Sequence, residues 1–424
     1  MLQKIKDWTK KIDALSGLQL FQLSRFAGLS LVGIVLARSN YSKAEIAQYE
    51  TVLWLSSFAT FFWLNSIVQV FLANFEKQQD SEKKTFTFRF AFSLQILSIS
   101  TALVLWLITQ NIYAALFLLF QTPASLNEYI LFVNHERKKL INYVLFNFIT
   151  FLLIGFYVYF LKSDIDEIAA ILVLMAFAKW CYGVFILSRF ALPSFRLIEP
   201  ALWKSSTYLA IGFIFSGSAE YIDGWLVKHY FESSVFTEFR FGSRELPLFA
   251  TLAATLSNAS IPLLSSNLKD GLAKLKADSL KYMHFMFPLA ILIVLSAPFI
   301  FKVVYGEAYI VSGKVFSLMI LLLIPRLVFP QAVYHALNLQ KTLVRISLAE
   351  LLINIAASFV LMQFFGWQGI VAGTVIAFAL EKLLLAFYLR QKHAIYPSDY
   401  LDLKWWAIYS TALIAAVWVQ YVLF

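Results

Sequence analysis

The sequence predicts an all-α polytopic membrane protein with about twelve core transmembrane helices in two six-helix halves and one further C-terminal segment. Of the 424 residues, 60% are hydrophobic and only 14% are charged, a composition that requires lipid rather than water as the main solvent. The apolar residues fall into segments of roughly 20 residues, the length that crosses a bilayer. Lys and Arg collect in alternate connections, as they do in short cytoplasmic loops.

The first element is an amphipathic helix over residues 1–16. Between Leu2 and Leu15, apolar residues recur at helical spacing opposite several lysines, which is typical of a helix lying on an anionic cytoplasmic leaflet. No small-residue cleavage site follows, so we expect the first span to be retained. The single cysteine, Cys181, excludes an internal disulfide and is expected to be a small buried residue.

The spans follow in two lobes, residues 17–190 and 204–389, joined by a cytoplasmic linker at residues 191–203. An additional transmembrane segment covers residues 404–423. The spans of the first lobe lie near 17–37, 50–73, 86–108, 112–133, 141–161 and 167–190. Those of the second lobe lie near 204–230, 236–262, 281–303, 314–337, 343–364 and 367–389.

The connections place the N-terminus in the cytoplasm and exclude a large extramembrane domain. None is longer than about 20 residues, too short to fold around an active site. No Walker A loop, HExxH, GxSxG or cysteine pair is present, so we expect a transporter and not an enzyme. Most prolines follow the linker, and several of them lie inside spans, among them Pro247, Pro288, Pro325 and Pro330. The second lobe should therefore hold the bent or broken helices.

Ionisable residues within the spans are the candidate functional groups, because charge at membrane depth is costly unless it faces a cavity or a partner. They are Arg25, Lys179, Glu220, Asp223, Arg240, Arg244, Arg326 and Glu350. In the eighth span a polar series is spaced as one face of a helix and is expected to line a wet interior. This series consists of Arg240, Arg244, Thr251, Thr255 and Asn258.

Each group also has a purely structural interpretation. Asp223 and Arg244 are at similar depth and could merely neutralise each other. Lys179 could extend its amine to the inner membrane surface or pair with a neighbour. The adjacent Glu381 and Lys382 are expected to be an interfacial pair. The histidines show no ligand spacing, so no metal site is predicted. The net charge of +10 belongs to the membrane topology and not to nucleic acid binding.

Two segments of the second lobe carry a family resemblance. Residues 216–266 read SGSAEYIDGWLVKHYFESSVFTEFRFGSRELPLFATLAATLSNASIPLLSS, and residues 297–319 read APFIFKVVYGEAYIVSGKVFSLM. They resemble the polysaccharide or O-antigen flippases of the Wzx type, in the MATE-like MOP superfamily. The matching positions are Asp223, Phe239, Gly306 and the step from Glu307 to Tyr309. Gly224 departs from the pattern, since many members carry a basic residue there.

The resemblance implies two six-helix lobes around a central cationic cavity. The substrate would be an undecaprenyl-diphosphate-linked oligosaccharide, moved to the outer leaflet of a bacterial cytoplasmic membrane by alternating access for O-antigen or other surface polysaccharide synthesis. Partners would be membrane lipids and other polysaccharide-assembly proteins. No cofactor is expected beyond a coupling H⁺ or Na⁺.

Roles can be assigned to the polar residues on this basis. Arginine suits a diphosphate, because its planar guanidinium pairs with phosphate oxygens. Substrate binding is assigned to Arg25, Arg240, Arg244, Arg326, Lys179, Thr251, Thr255 and Asn258, and coupling to Glu220, Asp223 and Glu350. A MATE-like multidrug or cation antiporter and a membrane-embedded glycosyltransferase or polysaccharide polymerase are the alternatives.

Overall fold

A computed structural model describes residues 14–75, 77–161, 164–244, 247–337 and 339–423. The described residues are almost entirely helical and contain no β-strand. The first helices are α1 (Ala14–Arg38), α2 (Lys43–Phe75), α3 (Asp80–Thr109), α4 (Ile112–Ala124), α5 (Asn127–Val133), α6 (Arg137–Leu161), α7 (Ile165–Phe190) and α8 (Pro200–Gly217). The remaining helices are α9 (Ala219–Tyr230), α10 (Ser233–Gly242), α11 (Pro247–Ser266), α12 (Leu268–Tyr305), α13 (Ile310–Ile320), α14 (Leu323–Arg326), α15 (Pro330–Ala336), α16 (Gln340–Phe365), α17 (Trp367–His393), α18 (Pro397–Tyr400) and α19 (Leu403–Leu423). The amphipathic helix predicted over residues 1–16 lies almost wholly outside the described residues.

The helices form a multi-pass membrane protein. Eleven helical segments in the described part of the chain are long and apolar enough to cross a bilayer. Large apolar side chains such as Ile108, Phe156 and Phe299 are exposed along these helices. So many exposed apolar side chains would cause aggregation in water, whereas they are stable in contact with lipid. The all-α polytopic fold predicted from the sequence is confirmed.

The chain forms two compact units, the first ending at Gly217 and the second beginning at Ser218. In the first unit, a core of aromatic and aliphatic residues includes Phe71, Phe90 and Tyr143. In the second unit, the long helix α12 contributes Phe287 to the core and packs against α19. The domain boundaries predicted from the sequence, with a linker at 191–203, stay a prediction.

Three predicted spans of the second lobe are interrupted. The span at 204–230 is divided into α8 and α9 at Ser218, and the span at 236–262 into α10 and α11. The span at 314–337 becomes α13, α14 and α15, where Phe329 takes a left-handed conformation at φ 57° before Pro330 starts α15. Proline lacks the N–H that continues a helix but suits its first turn, which explains the restarts at Pro247 and Pro330.

The break between α10 and α11 corrects the prediction of one continuous polar face from Arg240 to Asn258. Helix α10 ends at Gly242, and Arg244 follows it outside any helix. Gly242 is required there because a Cβ would collide with the backbone oxygen of Ser312 and the side chain of Val315. Arg240 and Asn258 therefore lie on different helices.

Candidate functional site

In the first unit, α1, α5 and α7 bring three ionisable residues into one cluster. Glu128 and Lys179 are only 2% and 4% exposed. The Glu128 carboxyl lies within electrostatic range of both Arg25 and Lys179, although Arg25 itself is exposed. We call Arg25, Glu128 and Lys179 the first-unit cluster. It contains two cations and one carboxylate, so a net positive charge remains that a second anion could neutralise.

Neighbouring side chains hold this cluster in place. The Lys179 ammonium lies 4.5 Å from the centre of the Phe151 ring, a cation–π contact that partly replaces its hydration. The Asn127 amide donates to the backbone oxygen of Lys179 and to the hydroxyl of Tyr143, both at 3.3 Å. Gly183 permits this approach, because a Cβ there would lie 2.6 Å from the Asn127 amide oxygen.

Glu128 retains capacity for a further partner. Its Oε2 atom is buried and has no hydrogen-bond partner among the described residues. A buried carboxylate oxygen without a donor is costly, and Arg25 and Lys179 are the nearby cations that offset part of this cost. A ligand that bound those cations would leave the Glu128 carboxylate without its neighbouring positive charges.

In the second unit, α9, α16 and α17 form a buried polar chain. Thr374 donates to the Asp223 carboxylate at 2.6 Å, and the Asn354 amide donates to the Thr374 hydroxyl at 2.9 Å. Asp223 is 1% exposed. The predicted neutralisation of Asp223 by Arg244 stays a prediction, whereas this hydroxyl bond is a contact that the sequence did not indicate.

A second buried group lies nearby on α16 and α17. The Lys382 ammonium donates to Glu381 at 2.5 Å, so the predicted pair is present, and both of its side chains are buried within the protein. Its position at the membrane interface stays a prediction. Gln331 also donates to Glu381, at 3.3 Å. Glu350 lies within electrostatic range of this pair, and Arg326 within range of Lys382. We call Arg326, Glu350, Glu381 and Lys382 the second-unit cluster.

The other predicted site residues lie elsewhere in the second unit. Arg240 and Arg244 are half-buried, and the Arg244 guanidinium stacks 5.2 Å from the ring centre of Phe241. Thr255 and Asn258 on α11 are exposed. The side chains of Glu220 and Thr251 lie outside the described residues. The roles assigned to all of these residues stay predictions.

Two contributors were not singled out from the sequence. The sequence could have identified Glu128 as a candidate, because it is an acidic residue inside the predicted span 112–133. It could not have identified Thr374, since a threonine in a transmembrane helix usually forms a hydrogen bond with its own backbone. Cys181, expected to be buried, is exposed on α7, where an apolar thiol can face lipid.

The fold is shared with known transporters, although no family model and no curated protein sequence matches the chain. The lipid II flippase MurJ in an inward closed conformation has a TM-score of 0.68 at 15% identity, covering 96% of this chain and 98% of that chain. A MOP superfamily transporter from Pyrococcus furiosus has a TM-score of 0.56 at 10% identity, covering 91% and 97%. A MATE transporter from Vibrio cholerae has a TM-score of 0.57 at 11% identity, covering 91% and 98%. The chain therefore has a MOP-type fold.

Proposed function

We propose that this protein is a flippase that moves a lipid-linked, diphosphate-bearing oligosaccharide across a bacterial cytoplasmic membrane by alternating access. The observation that carries the proposal is the first-unit cluster, where two cations, Arg25 and Lys179, face the single carboxylate of Glu128 within predicted spans. The fold similarity to a lipid II flippase, which covers nearly the whole chain, supports the same class of substrate. The product would serve O-antigen or other surface polysaccharide synthesis, alongside other assembly proteins.

The chemistry of the cluster suits a diphosphate. Phosphate oxygens are strong acceptors for guanidinium and ammonium groups, and the low dielectric of the bilayer strengthens each pairing. Without substrate, Glu128 stabilises the two cations. With substrate, the diphosphate would replace the carboxylate as their partner. Arg240, Arg244 and Arg326 are proposed as additional substrate-binding cations of the second unit.

Coupling to an ion gradient is proposed for the buried carboxylates of the second unit. Asp223 and Glu350 are carboxylates held in a dry environment, where binding H⁺ or Na⁺ would remove an unfavourable negative charge. A cation that binds one conformation more tightly than another shifts the population between them. Glu220 is proposed for the same role.

The test is surface polysaccharide display in a bacterial strain that lacks its own flippase. Wild type should restore display, and Arg25→Gln and Lys179→Gln should each lower it by about tenfold or more. Lys179→Arg should retain partial activity because the positive charge survives. Arg38→Gln, a change at the end of the same α1 helix as Arg25, is the matched control, and blotting should verify equal protein amounts.

A double variant separates substrate binding from simple neutralisation. If Lys179 only balances Glu128, then Glu128→Gln together with Lys179→Gln should restore display. If Lys179 binds the diphosphate, the double variant should stay inactive. Wild-type display by well-expressed Arg25→Gln and Lys179→Gln variants would refute the proposal.

A MATE-like cation antiporter is the second candidate, favoured by the fold shared with the Vibrio cholerae transporter and by buried Asp223. It predicts gradient-driven export of a lipophilic cationic dye from cells, and loss of that export in Asp223→Asn. The flippase proposal predicts no export of such a dye above the level of cells without the protein.

A further inference from the structure

A cavity of about 580 Å³ lies inside the first unit, beside the first-unit cluster. Helices α3, α4, α5 and α7 and the segment at 191–195 enclose it. Its walls are mainly apolar and aromatic, including Phe88, Phe92, Trp180, Leu187 and Phe195. This volume falls within the roughly 300–1,000 Å³ that is typical of small-molecule sites.

The cavity is open to its surroundings at one side. Two of its lining residues, Val184 and Phe195, are 48% and 75% exposed, so the apolar wall continues onto the surface of the unit. Val184 lies six residues before the end of α7 and Phe195 lies just beyond it, and the charge pattern places this end of α7 at the cytoplasmic side. A molecule could enter from the inner leaflet without crossing water.

The polar groups in the wall are engaged with the protein. The Trp180 indole donates to Gln95 at 2.8 Å, and the Asn127 amide donates to Tyr143 and to Lys179. The Ser188 hydroxyl donates to the Phe185 backbone oxygen at 2.8 Å, and most of the remaining lining is apolar. Such a wall favours a hydrocarbon chain over a polar ligand, because a polar ligand would lose its hydration without gaining bonds.

Basic residues lie close in the chain to the lining residues at the end of the cavity nearest the predicted cytoplasm. Lys84, Arg89, Arg189 and Arg196 each lie within four residues of a lining residue, and we call them the basic rim. The segment after α7 is fixed to α3 at this point, because Leu192 N–H donates to the Lys84 carbonyl at 3.1 Å and Arg89 donates to Ser194 at 3.4 Å.

One acidic residue neutralises part of the positive charge of the basic rim. Glu199 lies 3.7 Å from the Arg89 guanidinium, while Lys84, Arg189 and Arg196 are exposed. A net positive charge therefore remains beside an apolar opening. Basic pockets between transmembrane helices on the cytoplasmic side are suited to anionic lipid head groups.

We propose that this cavity binds one hydrocarbon chain of an anionic phospholipid, whose phosphate is held by the basic rim. The occupant matches both halves of the site, an apolar chain in the cavity and a phosphate at its mouth. The wall also touches the first-unit cluster, because Asn127 lines the cavity and bonds the Lys179 backbone. Lipid occupancy should therefore stabilise the packing of α5 against α7.

Native mass spectrometry of the full chain in detergent tests the proposal, with phosphatidylglycerol and phosphatidylethanolamine as probes. Wild type should retain phosphatidylglycerol in preference to phosphatidylethanolamine. Ala91→Trp fills the cavity from α3 and should abolish that retention. Leu103→Trp, on the exposed face of the same helix, is the matched control and should behave as wild type.

Two further variants keep the test decisive. Val184→Trp fills the cavity from α7 and replaces Ala91→Trp if that variant does not fold. Arg189→Gln combined with Arg196→Gln should weaken phosphatidylglycerol binding roughly tenfold while leaving phosphatidylethanolamine binding unchanged. Three outcomes would overturn the proposal. The first is equal retention of both lipids by wild type, and the second is retention of phosphatidylglycerol by both tryptophan variants. The third is displacement of phosphatidylglycerol by polyprenyl diphosphate at equal concentration. None of these outcomes depends on whether the protein flips an oligosaccharide.

Discussion

Thr374 is the residue that joins two buried polar side chains of the second unit. It donates to Asp223 and accepts from Asn354, so its loss would remove a donor from a carboxylate that has almost no access to solvent. Thr374→Val should therefore lower the free energy of unfolding by about 1–3 kcal/mol. Thr374→Ser keeps the hydroxyl and should stay closer to wild type. Thermal unfolding in detergent measures both, and equal melting temperatures for the Val and Ser variants would contradict the role of the hydroxyl.

Single residues differ in how far the sequence predicts their surroundings. Glu128 is recognisable as an acid inside an apolar span, and Lys179 was identified on that basis. Their proximity was not predictable, because it depends on how α5 packs against α7. Glu381 and Lys382 form the pair that their adjacent positions predicted. Their burial beside Gln331 was not predictable, because it depends on how neighbouring helices pack.

At the scale of elements, hydropathy predicts which segments are helical but not where they end. The span predicted at 86–108 is α3, Asp80–Thr109, because polar residues outside the hydrocarbon continue the same helix. Breaks inside spans are also invisible to hydropathy. Prolines indicated broken helices in the second lobe, and three predicted spans there are interrupted. The first-lobe span at 112–133 is also divided, into α4 and α5, and α12 runs unbroken through Pro288. Whether a proline interrupts a helix depends on local packing that can compensate for the missing hydrogen bond.

The break after Gly242 gives a prediction about the packing of α10 against α13. Gly242→Ala would place a methyl group against the Ser312 backbone and the Val315 side chain, and should cost about 1–3 kcal/mol of stability. Gly212→Ala on α8 is the matched control, because no atom lies within 4 Å of the added Cβ. That change should be neutral or stabilising by up to about 1 kcal/mol, since alanine favours helix. The measurement is the melting temperature of each purified variant, and equal melting temperatures would rule out a tight contact at Gly242.

At the scale of the whole molecule, the fold class follows from composition and span length, whereas the substrate does not. The shared fold is detected at 15% identity or less, a level at which the chemistry of individual sites is free to diverge. The buried charges of each unit are therefore the evidence for function. Only the three-dimensional structure shows which of these charged residues lie close together.

The side of the membrane that each connection faces stays a prediction. Helix α12 has 38 residues and is about 57 Å long, so it extends well beyond a hydrocarbon core of about 30 Å. The charged end of α12 is the part outside, and its Lys276 donates to the Ser398 carbonyl at 2.8 Å. That bond places the start of α12 beside the connection between α17 and α19. The charge alternation assigns both the start of α12 and this connection to the cytoplasm.

Cysteine labelling in intact cells tests this orientation. In a Cys181→Ala background, Glu232→Cys lies between α9 and α10 and should react with a membrane-impermeant maleimide, because this connection is predicted to face outward. Lys269→Cys, exposed at the start of α12, should react only after the cells are permeabilised. Both positions are exposed, so a difference in labelling reports the side of the membrane and not burial. Labelling of Lys269→Cys in intact cells would invert the topology and would move the basic rim to the outer leaflet.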